Sequence, residues 1–304
     1  MMNNTENHNN SFVDVLKGIC IIMVVVTHFS WEEHERLNYL FPFWIDMAVP
    51  IFMLISGYVY TISYKRHEIN KFESAYSIKN NIDKLIRYTI PYIITFIIEE
   101  IYIILGTSGI DSISYEILTF IDGGRGPGSY YYPVMIQFVF IFPIIFFIIN
   151  HNKKTGLILC GFLNIIFEIL QRTYDLNSST YRLLIFRYLL LISVGCHIAA
   201  YGITWSIKKS VISIVTGISF IVAYCYLGYE PIILRYWTRT SFLACLYIMP
   251  IASYLILKFK KFSNIVLALI GKSSFHIFLT QMVWYYAADA RISQITSPPG
   301  HYIC

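Results

Sequence analysis

Long apolar runs separated by short polar segments dominate the chain. Each run covers roughly 20 residues, the length that an α-helix needs to cross a hydrocarbon layer about 30 Å thick. The pattern predicts nine membrane-spanning helices, near residues 12–30, 40–63, 85–106, 128–149, 155–171, 182–201, 209–228, 240–257 and 263–287. The segment 112–121 is too short to cross alone, so we expect an interfacial or re-entrant helix there, or part of a tenth span.

The composition supports a membrane protein. Of 304 residues, 56% are hydrophobic and only 13% are charged, whereas soluble domains carry about 25% charged residues. No solvated surface could be built from so few charges. We therefore predict an all-α polytopic integral membrane protein, a bundle of nine or ten helices at residues 12–287. Short tails at 1–11 and 288–304 flank this domain.

Basic residues alternate between the two sides of the predicted bundle. The links after spans 2, 4, 6 and 8 carry thirteen lysines and arginines, whereas the opposite links and the C-terminal tail carry seven arginines and no lysine. Because such residues accumulate in cytoplasmic links, the N-terminus is predicted to be cytoplasmic. The net charge of +5 therefore reflects topology, and we expect the lipid bilayer rather than a nucleic acid as partner.

The first span contains three titratable side chains, Asp14, Lys17 and His28. Such groups are costly inside a bilayer and are therefore functional candidates. Lys17 and Asp14 lie one turn apart and can neutralise each other. His28 lies roughly 16 Å beyond Lys17 on nearly the same helix face. The residues expected between them on that face are Gly18, Ile21 and Val25.

His28 has two interpretations at this point. It is either a functional group at the end of a polar stripe, or a structural histidine that is hydrogen-bonded between helices or placed at the outer interface. Asp14 and Lys17 alone are typical of a cytoplasmic helix end, where a lysine can extend to the interface.

Further polar groups fall within the predicted spans. Five charged residues of mixed sign lie toward the predicted outer half: Asp46, Glu99, Glu100, Glu168 and Arg187. They indicate either a hydrated pocket that opens outward or structural ion pairs between helices. The cluster Tyr130–Tyr132 could stack on sugar faces, and Ser56 precedes a glycine at a close helix approach. The candidate substrate-binding residues are Ser56, Glu99, Tyr131, Glu168 and Arg187. The cysteines follow no metal-ligand spacing, so we expect no metal site.

Four motifs resemble a known family. The first span, SFVDVLKGICIIMVVVTHF, is similar to the opening motif of the acyltransferase-3 family, with Asp14, Lys17, Gly18 and His28 matching in order and spacing. The other resemblances are VPIFMLISGY (49–58), KLIRYTIPY (84–92) and GKSSFHIFLTQ (271–281). Two departures are Gln281, where the family often has histidine, and Lys84, where it often has arginine.

The resemblance implies a membrane-bound acyltransferase. It implies transfer of acetyl from cytoplasmic acetyl-CoA, as co-substrate, to a hydroxyl of a cell-surface polysaccharide or its lipid-linked precursor, in a bacterial cytoplasmic membrane. His28, with Asp14 and Lys17, would form the catalytic group, and His28 would act as general base or as transient acyl carrier. Lys84 and Arg87 would bind the CoA phosphates.

Two other classes of function stay open at the level of sequence. A transporter or flippase for a saccharide or small solute also places buried charges near the membrane midplane, although no internal repeat is visible. A donor-binding sensor or scaffold without turnover is the third possibility, because Gln281 departs from the family pattern.

Overall fold

The computed structural model of the chain describes residues 11–106 and 112–292. These residues form helices and short connections, with no β-strand among them. Most of the two predicted tails, residues 1–10 and 293–304, therefore lies outside the described residues. The α-helices are α1 (Ser11–Thr27), α2 (Glu33–Asn38), α3 (Ala48–Arg66), α4 (Phe72–Ala75), α5 (Ile78–Gly106), α6 (Ile113–Ile121), α7 (Tyr131–His151), α8 (Lys153–Thr173), α9 (Ser178–Leu183), α10 (Leu189–Tyr201), α11 (Ile207–Leu227), α12 (Ile248–Lys258), α13 (Ile265–Lys272) and α14 (Ser274–Ile292). Short 3₁₀ helices occur at Phe41–Phe43, Ile185–Tyr188, Thr238–Thr240 and Ala244–Leu246.

Five helical segments in the described ranges are long and apolar enough to cross a membrane: Phe41–Arg66, Asn81–Leu105, Tyr131–His151, Lys153–Thr173 and Ile207–Leu227. Two bent helix pairs raise the number to seven if each pair crosses once. The other two predicted spans coincide with apolar helices of at most 17 residues, α1 and the run Ile185–Tyr201. The nine predicted spans are thus all helical and the all-α membrane bundle is confirmed. Nine crossings are reached only if both of these shorter helices cross.

Two spans that the sequence predicts as continuous are sharply bent. The segments Thr238–Leu246 and Ile248–Lys258 meet at 63°, and Ile265–Lys272 meets Ser274–Ala287 at 69°. Pro250 accounts for the first bend, because it lacks a backbone N–H and its ring clashes with the carbonyl four residues earlier. The segment 112–121 forms the 9-residue helix α6, which is too short to cross, as predicted.

Glycines bring two pairs of helices into backbone contact. Gly18 of α1 faces the backbone of α13, and Gly271 of α13 faces the backbone of Asp14. A methyl group at either glycine would lie within 2.2 Å of a carbonyl oxygen. Gly57 and Gly195 join α3 to α10 in the same way. Small residues at such crossings are typical of membrane helices, and here they fix α13 beside α1.

The exposed surface of the bundle is apolar. Side chains of α3 are mostly buried, whereas α5 and α11 expose large aliphatic side chains, among them Ile94, Leu105, Ile212 and Val215. Continuous apolar surface of this extent is compatible with lipid and not with water. The chain is therefore a multi-pass membrane protein whose α3 lies in the interior.

Candidate active site

Two cavities lie along α1, one near each end of the helix. Lys17 Nζ donates to Asp14 Oδ1 at 3.2 Å, which confirms the predicted ion pair one turn apart. Lys17 lines the first cavity and His28 lines the second. We name them the Lys17 cavity and the His28 cavity. Lys17 and His28 are eleven positions apart in the sequence, which corresponds to roughly 16 Å along the helix axis.

The residues between Lys17 and His28 differ in part from the predicted ones. Ile21 and Val24 line the Lys17 cavity. The predicted Gly18 instead faces α13. The Val25 carbonyl accepts a hydrogen bond from Tyr285 at 2.7 Å. The departure has a simple geometric cause, since α1 carries one apolar stripe toward the cavities and packs its other faces against α13 and α14.

The Lys17 cavity is narrow and cationic. Its volume is about 230 Å³. Three cationic side chains line it, those of Lys17, Arg87 and Lys272. Lys17 is paired with Asp14, and the described residues of the wall itself include no carboxylate. Hydroxyl groups of two serines, Ser56 and Ser274, and of three tyrosines add hydrogen-bonding capacity. Such a site suits an anionic ligand with a slender neutral arm.

Arg87 and Lys84 occupy different places, although the sequence predicts them as a pair. Arg87 lines the Lys17 cavity, whereas Lys84 does not. The Lys84 ammonium lies over the rings of Tyr60 and Tyr64, at 5.3 and 4.6 Å from their centroids. The Tyr64 hydroxyl accepts from Lys84 at 3.5 Å. Lys84 therefore supports the cavity wall from behind.

The His28 cavity is larger and rich in arginine. Its volume is about 600 Å³, which falls in the range typical of small-molecule sites. Its charged lining residues are Arg36, Asp46, Arg182, Arg187 and Arg239. The aromatic lining residues are Tyr130, Tyr188, Tyr224, Trp237 and Phe278. No group of three or more histidine, cysteine or carboxylate side chains in the described ranges could hold a metal ion.

A thin apolar wall separates the two cavities. Val24, Val49 and Phe278 line both of them. Val24 and Phe278 are buried, at 2% and 4% exposure. The cavities therefore meet back to back at these three side chains, with the cations of the Lys17 cavity on one side and His28 on the other.

His28 follows the last residue of α1 and faces its cavity. Its backbone N–H donates to the Val25 carbonyl at 3.2 Å, and its ring centroid lies 5.8 Å from that of Tyr285. The carboxylate of the cavity, Asp46, is paired with Arg36. His28 is thus held by packing at the helix end, with its ring turned to the space that a ligand would fill.

A glycine-rich loop, residues 122–130, covers one side of His28. Glu99 is 1% exposed and accepts the Arg125 backbone N–H at 3.2 Å. The Arg125 guanidinium pairs with Glu100 and Glu116. These three glutamates therefore fix the loop, whose last residues line the His28 cavity. Glu99 acts on the site through the loop and does not line the cavity itself.

Arg187 lies deep in the His28 cavity wall at 4% exposure. One nitrogen, Nη2, donates to the Thr240 hydroxyl at 3.0 Å. The Tyr181 ring covers the guanidinium at 5.3 Å, and the Tyr181 hydroxyl donates to Glu168 at 2.8 Å. Glu168 is fully buried behind Tyr181. It therefore supports Arg187 indirectly and does not reach the cavity.

The comparison with known families decides the identity of this arrangement. The acyltransferase-3 model, described as an acyltransferase domain, matches residues 10–304. The chain belongs to this acyltransferase family. The match covers essentially the whole chain, and with the helical bundle it shows a membrane acyltransferase. No curated protein and no solved structure matches the chain.

The residues predicted for the acyltransferase site separate into three groups. The Lys17 cavity brings together Lys17, Ser56, Arg87 and Tyr131. The His28 cavity brings together His28 and Arg187. The remaining candidates lie behind the cavity walls: Asp14, Lys84, Glu99 and Glu168. Tyr131 packs against Phe278 at 4.7 Å, so it borders the Lys17 cavity and not a sugar site in the His28 cavity.

Several lining residues of the acyltransferase were missed at the level of sequence. Lys272 sits at the break between α13 and α14, and the Gly-Lys-Ser-Ser segment around it was its only signal. Three arginines of the His28 cavity were counted only as topology signals: Arg36, Arg182 and Arg239. Their unusual feature was visible, because the links on that side contain arginine and no lysine.

Proposed function

We propose that this acyltransferase transfers acetyl from acetyl-CoA to a hydroxyl of a surface glycan or of its lipid-linked precursor. The observation that carries the proposal is the pair of cavities that meet at the wall of Val24, Val49 and Phe278. One cavity is narrow and cationic, and the other is wider and contains a histidine. A donor and an acceptor could thus approach one reaction centre from opposite sides.

The Lys17 cavity suits the donor. Lysine and arginine bind phosphate oxygens through charge-assisted hydrogen bonds, and Lys17, Arg87 and Lys272 supply three such cations. About 230 Å³ is below the volume of a typical drug-sized site, which is about 300–1,000 Å³. The cavity therefore fits an acyl-pantetheine arm, with the nucleotide phosphates at its cationic rim.

His28 suits proton transfer at the acceptor hydroxyl. In the proposed step the imidazole takes the hydroxyl proton as the oxygen attacks the thioester carbon. The new C–O bond replaces the C–S bond, and the CoA sulfur leaves as thiolate, which recovers a proton. The products are the acetyl ester and free CoA. If His28 is instead an acyl carrier, an acetylated His28 precedes this ester.

The charge pattern supports an orientation in a bacterial cytoplasmic membrane. Lys17 and Arg87 lie toward the end of the bundle that carries the lysine-rich links, and His28 lies toward the arginine-only links. By the positive-inside rule the Lys17 cavity then opens to the cytoplasm, where acetyl-CoA is available. The N-terminus lies on the same side.

The test supplies radiolabelled acetyl-CoA to inverted membrane vesicles that enclose the host's lipid-linked glycans. Vesicles contain the wild type, His28→Ala or His34→Ala. His34 is the matched control, because it is exposed, lies outside both cavities and pairs with Glu32 on the surface at 3.1 Å. We expect alkali-labile label in the glycan fraction with wild type and His34→Ala, and a loss of about 10²-fold or more with His28→Ala.

Two results would contradict the proposal. Wild-type activity in His28→Ala would remove His28 from the reaction. Absence of transfer by inserted wild-type protein that binds acetyl-CoA, with every glycan fraction tried, would remove acetyl transfer to glycans. Uptake of unmodified saccharide into the vesicles would then favour a transporter. Hydroxylamine-labile label on the protein itself that is absent in His28→Ala and chases into glycan would assign His28 as carrier.

A further inference from the structure

The His28 cavity has more positive charge than its own carboxylates neutralise. Arg36 is paired with Asp46, and Arg239 is paired with Glu33. Arg182 and Arg187 also line the cavity. In the described ranges neither of these two has a carboxylate within ion-pair distance. Arg182 and Arg187 thus face the cavity without an ion pair among the described residues, and the buried Glu168, which acts on Arg187 electrostatically from behind Tyr181, does not reach the cavity.

Arg187 donates to Thr240 through Nη2, and its other terminal nitrogen is left for a ligand. Arg187 is 4% exposed, and its Nη1 has no hydrogen-bond acceptor among the described residues. Aromatic rings of Tyr181, Tyr188 and Trp237 cover its faces at 5.3, 4.7 and 5.1 Å. Rings stabilise the face of the cation but accept little at its N–H edge. A buried, unsatisfied charged donor is destabilising unless a ligand completes it.

Two neighbours strengthen this reading of the site. Arg182 has a buried Nε without an acceptor. Trp237 has a φ of 52°, in the left-handed region that a bulky residue rarely adopts. Its strained backbone places the indole against Arg187 and within 5.7 Å of the Tyr130 ring centroid. Strain of this kind is typical of functional sites.

We propose that the acceptor of this enzyme is anionic and that Arg187 and Arg182 bind its negatively charged group, a carboxylate or a phosphate. The planar guanidinium fork of Arg187 matches either group, and the surrounding tyrosines and Trp237 offer faces for a sugar ring. This inference rests on the proposed function, since it names the acceptor class for the same site. A neutral glycan would accept hydrogen bonds from both guanidinium groups but would bring no counter-charge for them.

The experiment first measures binding without acyl transfer. Purified protein in detergent is heated with methyl β-glucoside, methyl β-glucuronide or glucose 1-phosphate. The three probes share one sugar ring. The glucoside is neutral, the glucuronide carries a carboxylate and glucose 1-phosphate carries a phosphate. We expect a raised Tm with at least one anionic probe and none with the glucoside. The effect should disappear in Arg187→Gln and persist in Arg172→Gln, because Arg172 is exposed and does not line the cavity.

A second variant keeps the test interpretable if Arg187→Gln unfolds. Arg182 is less buried than Arg187, so Arg182→Gln is less disruptive to the fold. It should weaken binding of the anionic probes about tenfold. Arg187→Lys should retain part of the affinity, since it keeps the charge and loses the fork. Equal stabilisation by neutral and anionic probes, or anionic stabilisation unchanged in both glutamine variants, would overturn the inference.

Acetyl transfer to the same probes then separates the two proposals. An anionic preference of about tenfold or more in kcat/KM, lost in Arg187→Gln, supports both. Transfer to all three sugars at equal rates keeps the acetyltransferase and overturns the anionic acceptor. Anion-specific stabilisation without any transfer keeps the binding site and counts against the proposed reaction.

Discussion

Replacing Gly128 with alanine would place a methyl group between Phe278 and His28. Gly128 has a φ of +88°, and its Cβ would lie 2.8 Å from Phe278 Cζ and 3.6 Å from His28 Nε2. A left-handed alanine costs roughly 1–2 kcal/mol. Ordinary carbon contacts begin at about 3.5 Å, so the Phe278 ring must move by about 0.7 Å. Such overpacking costs about 1–3 kcal/mol more.

The expected consequence reaches beyond stability, because Phe278 belongs to the wall between the two cavities. Displacement of reacting groups by about 1 Å can reduce rates about 10²-fold. We therefore expect Gly128→Ala to lower the Tm and to reduce acetyl transfer at least tenfold, while the dissociation constant of acetyl-CoA changes little. The assays are thermal unfolding in detergent, equilibrium binding of labelled acetyl-CoA, and the vesicle transfer reaction.

Gly202→Ala is the matched control for backbone strain. Gly202 has a φ of +71° and no atom within 4 Å of a built Cβ. Its ψ of −166° puts this backbone in a region that is essentially restricted to glycine, so the variant should lose roughly 1–3 kcal/mol from backbone strain alone and keep full activity. If Gly128→Ala were as stable and as active as Gly202→Ala, the loop would not confine His28, and the reasoning about the wall would be wrong.

Two further predictions follow from the cavities. Arg87→Gln should weaken acetyl-CoA binding about tenfold or more, whereas Lys84→Gln should change it less, because only Arg87 lines the Lys17 cavity; equal effects in equilibrium binding would contradict this division. Val24→Phe should thicken the wall between the two cavities. Acetyl-CoA affinity should stay within about threefold of the wild-type value, whereas transfer should fall at least tenfold. Undiminished transfer would show that the acyl group takes another route.

The helix positions were predictable because a bilayer leaves the backbone few choices. An apolar run of about 20 residues in lipid must satisfy its hydrogen bonds internally, and a helix does so. The predicted span 209–228 thus becomes Ile207–Leu227. The bend at Pro250 was not predicted, because proline alone does not decide it. Pro91 and Pro143 lie inside continuous helices, where neighbouring contacts tolerate the lost hydrogen bond.

The site was predictable only where it is local in sequence. Asp14 and Lys17 share one helix, so helical periodicity alone brings them together. Arg182 and Arg239 reach the same cavity from segments that are far apart in the chain, and no periodicity connects those segments. Glu168 was predicted to bind substrate, but its carboxylate accepts from the Tyr181 hydroxyl behind the cavity wall. Its position within a span does not tell whether a carboxylate faces a cavity or a neighbouring side chain.

The apolar wall between the cavities also concerns the membrane as an electrical insulator. Moving one elementary charge through 100 mV involves about 2.3 kcal/mol, so an aqueous path from Lys17 to His28 would dissipate the membrane potential. Val24, Val49 and Phe278 offer no polar group to a hydrated ion. An acetyl group is neutral and small. In the proposed reaction, passage of that fragment alone would leave nucleotides and ions on their own sides, and the membrane would stay energised during turnover.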